Sequence, residues 1–397
     1  MGSRKVIAAL LVLSFSSFSF AEEHTGEIIY KIKDEYRKPG DKELIKVFTP
    51  DNNVISTESY LSLMNDSGYY DYVGFNTIES EPEEFEDVSE LFNVNLDPDF
   101  QKQWQHTKLE TIFAWDYTKG AHEVIVGVCD SGVESTHEDL LGNVLSSGWD
   151  FVDEDSDAEP VTQHGTFVSG LIAANSMNQL GGAGVSPNVK ILPLKITTSR
   201  GSTTMKKIAD CIQYAADHGA KVINVSFTGV QNEVVEIAGK YAADKGALLV
   251  YAAGNQGKDR ADYPDFEHVF IVGATNSDDL RWTYRKFFKS GGSNYGPFID
   301  VVAPGHKVYS TTTYIRHNNQ NDEVIKYKSG SGTSYATPIT SAVAALIYSI
   351  NPNFTPFEVA NIITQSAQNI GDEYMFGAGR INAHEAVKLA TKYFNQQ

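Results

Sequence analysis

The sequence predicts an α/β protein in which helices cover both faces of a central parallel sheet, a three-layer arrangement. Short apolar runs recur along residues 103–397 and alternate with stretches of helical periodicity. Gly219 and Gly246 end two of the predicted helices just before the next apolar run. Strands that alternate with helices form parallel sheets, and an active site in such a sheet lies at the carboxyl ends of its strands.

Five apolar runs are predicted to be strands of this sheet. They are residues 124–129, 222–227, 247–252, 269–274 and 298–303. Apolar residues at helical spacing predict two helices between them. The first carries Met205, Ile208, Cys211, Ile212, Ala215 and Ala216 on one face, and the second carries Val234, Val235, Ile237, Ala238, Tyr241 and Ala242.

The 397 residues include 32 basic and 51 acidic side chains, which gives a net charge of −19. Such a charge repels a phosphate backbone, so nucleic acid is not expected as a partner, and we expect a monomer. The two cysteines, Cys129 and Cys211, match no metal motif, and both fall among apolar residues. An exported protein permits a bridge, but we interpret them as two buried, unbonded small side chains.

Residues 1–21 have the pattern of an export signal. Basic residues near the start precede an apolar core at 6–13, and Ser19 and Ala21 are small residues where a signal peptidase cuts. The apolar run is too short to anchor the chain across a bilayer. We therefore expect a signal peptide cleaved after Ala21 and a secreted protein, extracellular or periplasmic, with no membrane partner.

Residues 22–95 differ in character from the rest of the chain. Their main feature is the acidic run 79–90, and little of the segment is periodic apart from a strand predicted at 44–48. A pro-region, a separate binding module and a disordered spacer all fit this composition. Because the segment lies between the export signal and a domain of different character, we interpret it as a pro-region. Residues 96–397 then form the functional domain.

Two short motifs place reactive side chains near the expected edge of the sheet. Residues 128–132 read VCDSG, so Asp130 ends a buried strand before a turn, where a carboxylate can orient a histidine. His164 begins an apolar helix predicted at 164–174, and the partly positive helix start favours the neutral imidazole of a general base. An ordinary Asp-Ser-Gly turn and a capping histidine are the structural alternatives.

A third motif, residues 330–338, reads GSGTSYATP and leads into a long apolar helix predicted at 339–350. Ser334 falls at the helix start among small residues, where its hydroxyl is accessible and N–H groups can bind an oxyanion. A serine that only caps the helix is the alternative. Asn255, in the tight loop AAGNQG, can either tolerate a left-handed backbone or donate its amide to the same oxyanion.

In order, Asp-Ser-Gly, His-Gly-Thr, Ala-Ala-Gly-Asn and Gly-Thr-Ser-Tyr-Ala-Thr-Pro resemble the motif series of the subtilisin-like serine proteases, the subtilases. The resemblance extends from residue 103 to residue 390. It implies a subtilisin-like fold and peptide-bond hydrolysis through an acyl-enzyme. Transferred by position, it makes Asp130 the group that orients His164, His164 the base, Ser334 the nucleophile and Asn255 the oxyanion donor.

The sequence departs from the family pattern at three positions. Phe167 replaces a second histidine, Tyr335 replaces the methionine after the nucleophile, and Thr228 replaces a glycine. The first two are expected to touch no triad atom. Thr228 lies in a segment that pairs with substrate in the family, so it is expected to change the shape of a subsite.

The resemblance also implies a pocket for the side chain before the scissile bond. Its walls are formed by Ser226, Phe227 and Thr228 on one side and by Ala252, Ala253 and Gly254 on the other. At its base, Asp262 would favour Lys or Arg in the substrate, whereas a solvent-facing Asp262 would leave the pocket broadly apolar. Residues 47–101 contain no Lys or Arg, which favours the second alternative, since a strictly basic preference could not cut there.

Two acidic groups resemble calcium sites of the family, and hard oxygen ligands favour Ca²⁺. The loop 150–159 carries six carboxylates just before His164, and like charges this dense repel one another without a counter-ion. Its expected structural ligands are Asp150, Asp153, Asp155, Asp157 and Glu159. Asp139, with the loop around Asn178, resembles a second site. A solvated acidic loop without metal is the alternative.

Two other functions are compatible with parts of the pattern. A subtilase fold that has lost catalysis and serves for binding is one, but all three triad residues and Asn255 are present. A nucleotide-binding protein is the other, but no Gly-x-Gly-x-x-Gly follows the first strand. We therefore predict an active serine endopeptidase that acts on proteins or peptides and has its own pro-region as inhibitor.

Overall fold

The computed structural model describes residues 24–32, 46–48, 70–77, 96–286, 289–317 and 322–395. The chain divides into two compact units, residues 1–92 and 93–397. The predicted signal peptide and the acidic run 79–90 lie outside the described residues. Among the helices that are described, none is both long and apolar enough to cross a membrane.

The first unit contains a three-stranded antiparallel sheet. Its strands are β1 (His24–Ile32), β2 (Lys46–Phe48) and β3 (Tyr70–Thr77), with β1 in the centre. Ile28 of β1 lies opposite Phe48 on one side and Phe75 on the other. The strand predicted at 44–48 is confirmed over its last three residues.

The second unit is built on a seven-stranded parallel sheet. Its strands are β4 (Ile125–Asp130), β5 (Trp149–Asp150), β6 (Lys190–Lys195), β7 (Val222–Val225), β8 (Leu248–Ala252), β9 (Phe270–Thr275) and β12 (Val301–Pro304). Their order across the sheet is β12-β9-β8-β7-β4-β6-β5. All five predicted strands are confirmed, with ends that differ by at most three residues.

Helices cover both faces of this sheet, which confirms the three-layer fold. They are α1 (Trp104–Leu109), α2 (Thr111–Trp115), α3 (His164–Ala173), α4 (Met205–Asp217), α5 (Glu233–Asp244), α6 (Thr333–Ile350), α7 (Pro356–Ser366), α8 (Glu373–Phe376) and α9 (Ala383–Phe394). Side chains alternate across β4: Val126 and Val128 pack in the core with α3 and α6, and Cys129 packs in the core with α4 and α5.

Two hairpins lie outside the main sheet. They are β10 (Thr283–Lys286) with β11 (Lys289–Gly292), and β13 (Val308–His317) with β14 (Asp322–Gly330). The second is fastened to α3, because Ser310 Oγ donates to the Phe167 carbonyl at 2.9 Å and Thr311 Oγ1 donates to the Thr166 carbonyl at 2.8 Å. Gly170 permits this approach, since a Cβ there would collide with Thr311.

The two cysteines form a disulfide, so the prediction that they are unbonded is wrong. Both are fully buried, as expected, but β4 packs against α4 and brings the Cα atoms of Cys129 and Cys211 to 6.0 Å. That separation lies within the range that a disulfide spans. The apolar face of a helix and the strand beneath it share one core, so the two sulfur atoms meet there.

Candidate active site

Asp130 and His164 meet at the carboxyl end of β4. Asp130 is the last residue of β4 and is fully buried, and His164 is the first residue of α3. His164 Nδ1 lies 2.8 Å from Asp130 Oδ1 and 3.0 Å from Oδ2. The close approach depends on Gly165, because a Cβ there would collide with the Gly132 carbonyl and lie 3.2 Å from the Asp130 side chain. The geometry leaves His164 Nε2 as the ring nitrogen for chemistry.

The environment of His164 raises the pKa of its imidazole. Burial alone lowers that pKa, but the charge of Asp130 and the hydrogen bond to it raise it by more. The ammonium of Lys328 lowers it slightly in the other direction. The expectation that the helix start favours the neutral imidazole is therefore outweighed by Asp130, and the paired ring holds a proton more readily than a free histidine.

Ser334 is the second residue of α6, after Thr333. The residue that precedes the helix is Gly332, which has a φ of 159°. Pro338 lies four residues further along the helix and has no N–H to donate to the Ser334 carbonyl. The hydroxyl of Ser226 donates to that carbonyl instead, at 2.9 Å. The start of α6 is therefore fastened to the end of β7.

Asn255 is held by the residue before Ser334. Its Oδ1 accepts hydrogen bonds from Thr333 N and Thr333 Oγ1, both at 2.8 Å. Gly254, at φ 97°, makes the preceding turn and donates its N–H to Thr333 Oγ1 at 3.2 Å. Among the described residues, Asn255 Nδ2 has no hydrogen-bond acceptor. The side-chain amide and the N–H groups at the start of α6 can therefore donate to one oxyanion.

The predicted walls of the substrate pocket come from the ends of two neighbouring strands. Ser226, Ala252, Ala253 and Gly254 are buried, Phe227 is half-buried and Thr228 is exposed. The Phe227 ring lies 6.1 Å from the His164 ring, centroid to centroid. The Thr228 carbonyl accepts a hydrogen bond from Tyr251 at 3.1 Å, which holds the segment near β8.

Asp262 is exposed to solvent. Its neighbour Tyr263 packs edge-to-face on Phe298 at 5.2 Å and carries the Arg260 guanidinium over its ring. Within the described residues, no ion pair or hydrogen bond connects the Asp262 side chain to either wall of the pocket. Its part in specificity stays a prediction.

The expectation that Tyr335 touches no triad atom is wrong. Its ring lies 5.5 Å from the His164 ring and 4.4 Å from the Phe167 ring, centroid to centroid. Burial and the charge of Asp130 raise the pKa of Tyr335 to about 12, so the phenol is neutral. Phe167 is fully buried beneath it. The signal was in the sequence, since a larger ring directly after the nucleophile must displace something nearby, and Phe167 is one helical turn from His164.

Asp139 has the surroundings of a cation ligand. It is fully buried, Asn178 Nδ2 donates to its Oδ1 at 2.8 Å, and among the described residues its Oδ2 accepts no hydrogen bond. Burial raises the pKa of Asp139 to about 7, and the charge of the buried Asp97 adds to the effect. Asp97 itself accepts the backbone N–H groups of Met177 and Gln179. These residues fit a calcium ion, whose charge would offset two buried carboxylates.

The acidic loop 150–159 is organised differently. Asp150 is fully buried and pairs with the Lys195 ammonium at 2.6 Å. Asp155 and Asp157 are exposed and accept backbone N–H groups within the loop, while Asp153 and Glu159 are also exposed. In the described ranges no three Asp, Glu, His or Cys side chains gather closely enough to hold a metal ion. Calcium binding by this loop stays a prediction.

Comparisons with known proteins identify the family of this chain. The sequence model described as the subtilase family matches residues 121–379. The chain is 36% identical over 374 residues to a thermophilic serine proteinase of Bacillus sp. (strain AK1), across 91% of this chain and 87% of that protein. It is 38% identical over 296 residues to thermitase of Thermoactinomyces vulgaris, across 74% of this chain and 98% of thermitase. A solved protease from Pseudoalteromonas arctica PAMC 21717 superposes with a TM-score of 0.63 at 29% identity, covering 74% and 98% of the two chains.

Proposed function

This chain belongs to the subtilase family and is a serine-type endopeptidase, and we propose that Asp130, His164 and Ser334 form its catalytic triad. The observation that carries the proposal is the pair of contacts, 2.8 and 3.0 Å long, between His164 Nδ1 and the Asp130 carboxylate. They favour the tautomer in which Nε2 accepts a proton. Ser334 lies next to Tyr335, whose ring contacts His164, and supplies the hydroxyl.

The reaction needs one base that works twice. His164 takes the proton of Ser334 as Oγ bonds to the carbonyl carbon of the substrate. The C–N bond then breaks, His164 gives the proton to the leaving amine, and the acyl group stays on Ser334. Water repeats the sequence, losing its proton to His164 and releasing the acid, which restores the Ser334 hydroxyl.

The negative charge that develops on the carbonyl oxygen needs fixed donors. Asn255 Nδ2 and the backbone N–H of Ser334 fit this role, because both are available at the start of α6. The two hydrogen bonds from Thr333 hold the Asn255 amide in place before the reaction starts. Donors that need no rearrangement contribute most to such a transition state.

The test is a comparison of three proteins on one peptide substrate. A fluorophosphonate should label the wild type at Ser334 but not Ser334→Ala, and the variant should keep only a small residual hydrolysis. Asn255→Ala should lose about 10²–10³ in kcat with little change in KM. A folded wild type that neither reacts with the label nor hydrolyses peptides would instead be a binding protein with a silent subtilase fold.

We also propose that residues 22–95 are an inhibitory pro-region and that the enzyme is secreted as a monomer. The position of the segment, directly before a domain of different character, supports the pro-region, and the alignment with the Bacillus serine proteinase includes part of the segment because it covers 91% of the chain. The export pattern at residues 1–21 adds support. Sequencing the N-terminus of the secreted protein decides the matter: a fully active protein that begins at Glu22 would contradict the pro-region.

Calcium is the cofactor that the acidic groups favour. The Asp139 group, with a buried oxygen that no donor satisfies, is the stronger candidate for a structural ion. The loop carboxylates of Asp153, Asp155, Asp157 and Glu159 form the second candidate, next to Asp150. Such ions stabilise the fold and take no part in the proton transfers.

Two alternatives remain for the side-chain preference before the scissile bond. A carboxylate at the base of the pocket favours Lys or Arg, but the exposure of Asp262 supports the broadly apolar alternative. A peptide panel that varies only this residue, run on wild type and Asp262→Ala, separates the two. A preference for Phe or Leu that the substitution leaves unchanged would remove Asp262 from the specificity pocket.

A further inference from the structure

The hairpin of β13 and β14 carries a cation close to the proposed triad. Lys328 of β14 lies opposite Ser310 in the hairpin, and Ser310 is hydrogen-bonded to the Phe167 carbonyl. The Lys328 ammonium sits 6.0 Å from the centroid of the Phe167 ring. The hairpin that carries the Lys328 ammonium is therefore hydrogen-bonded to α3, the helix that begins at His164.

Lys328 has no carboxylate partner in the part of the chain that the structure describes. It is half-buried, and this burial lowers the pKa of its ammonium. By contrast, Lys326, two residues earlier on the same strand, is exposed and pairs with Glu138. A half-buried, unpaired cation is unexpected in a chain with a net charge of −19, where carboxylates are abundant.

A series of ring contacts connects Lys328 to His164. The His164 ring has Phe227 at 6.1 Å and Tyr335 at 5.5 Å. Tyr335 packs on Phe167, and Phe167 lies under Lys328. Gly330 allows the hairpin to pack closely on this ring, because a Cβ there would come within 2.6 Å of the Tyr335 ring.

The expected path of a substrate follows from the proposed pocket. A peptide that passes the nucleophile has its acyl part on one side and its leaving part on the other. Because the proposed pocket places the acyl part along the segment that contains Phe227, we expect the leaving part to pass Tyr335 and the hairpin that carries Lys328. Since a chain advances at most about 3.6 Å per residue, the first two leaving-side residues are the ones that we expect nearest to Lys328.

We propose that Lys328 selects substrates that carry a carboxylate side chain in the first two residues after the scissile bond. The inference rests on the proposed function of this site. A half-buried ammonium without a partner is incompletely hydrated. A substrate carboxylate that pairs with it therefore supplies hydrogen bonds that water does not make there. Partial burial also reduces the screening that weakens pairs on an open surface.

The test uses internally quenched peptides that differ only by Glu, Gln or Lys at the first or second leaving-side position. For wild type, kcat/KM for Glu should exceed that for Gln by about fivefold or more at low salt, with Lys slowest. The preference should shrink as salt rises from about 50 to about 500 mM. Lys328→Met should abolish the preference for Glu over Gln in kcat/KM, and Lys328→Arg should retain most of this preference.

Lys326→Met is the matched control, because it removes a positive charge from the same strand outside the site. It should keep the wild-type ratio. The proposal is overturned if Lys328→Met keeps the Glu preference, if Lys326→Met loses it equally, or if wild type cleaves Glu and Gln peptides at the same rate. In these cases the proposed function stands, because the peptides are still cleaved. If wild type cleaves none of the panel and takes no fluorophosphonate label, the proposed function fails as well.

Discussion

The hydroxyl of Ser226 donates a hydrogen bond of 2.9 Å to the carbonyl oxygen of Ser334. It is the last bond of a buried chain, in which Ser341 Oγ donates to Asn224 Oδ1 and Asn224 Nδ2 donates to Ser226 Oγ, each at 3.0 Å. The chain replaces the helix bond that Pro338 cannot make. It connects the nucleophile to the end of β7 and to the middle of α6.

Ser226→Ala should lower both stability and turnover. The variant leaves the Ser334 carbonyl without a donor, which costs about 1–3 kcal/mol of unfolding free energy. The start of α6 is then less firmly held, so kcat should fall while KM changes little. Urea unfolding and steady-state kinetics measure the two effects. Thr228→Ala, in the same segment with an exposed side chain, is the control for stability, and an equal loss of unfolding free energy there would mean that the hydrogen bond is not the cause.

Tyr335 and Phe167 should be coupled through their shared contact. Tyr335→Ala removes the ring against His164, so the imidazole is less restricted and kcat should fall about tenfold, whereas Tyr335→Phe keeps both ring contacts and should be affected far less. A double-mutant cycle with Phe167→Ala should give a coupling of about 0.5–1.5 kcal/mol in stability. Additive effects would show that the two side chains are not energetically coupled.

The sequence predicted the fold and the proposed triad better than the contacts around them. Apolar runs report burial locally, so five strands of the main sheet and the helices α3, α4 and α5 were predicted within about three residues. Helix α6 begins at Thr333, before its predicted start at 339, and β5, β6 and both hairpins were not predicted. Asp130, His164 and Ser334 each sit at the end of a strand or the start of a helix, where chemistry has a recognisable context.

Contacts between distant residues left no local signal. Ser341 and Asn224 are separated by 117 residues, and the pairing of Cys129 with Cys211 depends on how α4 packs against β4. Tyr335 was visible as a departure from the family pattern, but its contact with His164 depends on the geometry of two helix starts. Such features follow from tertiary packing, which periodicity does not encode.

Removing the disulfide should destabilise the protein without changing its chemistry. The bridge joins residues 82 positions apart, so Cys129→Ala with Cys211→Ala should cost about 2–4 kcal/mol of unfolding free energy. Thermal melting with and without the substitutions gives the shift, and thiol titration of unfolded wild type checks that the bridge is formed. Two free thiols in unreduced, unfolded wild type would contradict the bridge. Because Cys129 precedes Asp130, kinetics below the melting temperature show whether the bridge also positions the carboxylate.

The acid limb of the pH profile should report His164. Its pKa is raised above the ordinary value of 6.5, and only the neutral imidazole accepts a proton. Activity should therefore fall as pH drops through a midpoint above 6.5.

Two charged groups act on the His164 ring: Asp130 raises its pKa and Lys328 lowers it. Lys328→Met should move the midpoint of kcat/KM to higher pH, while Lys326→Met should move it less. A midpoint that shifts equally in both variants would assign the effect to general surface charge.

Calcium removal should lower the melting temperature, because an ion that binds only the folded state stabilises it by mass action. At a free concentration 100 times the dissociation constant, the gain is about 2.7 kcal/mol. Asp139→Asn should remove most of the response to EGTA if the buried site is occupied, and Asp153→Asn with Asp155→Asn should remove it if the loop is. Asp244→Asn, on the exposed side of α5, controls for lost negative charge. A wild-type melting curve that excess EGTA leaves unchanged would exclude a stabilising calcium ion at either site.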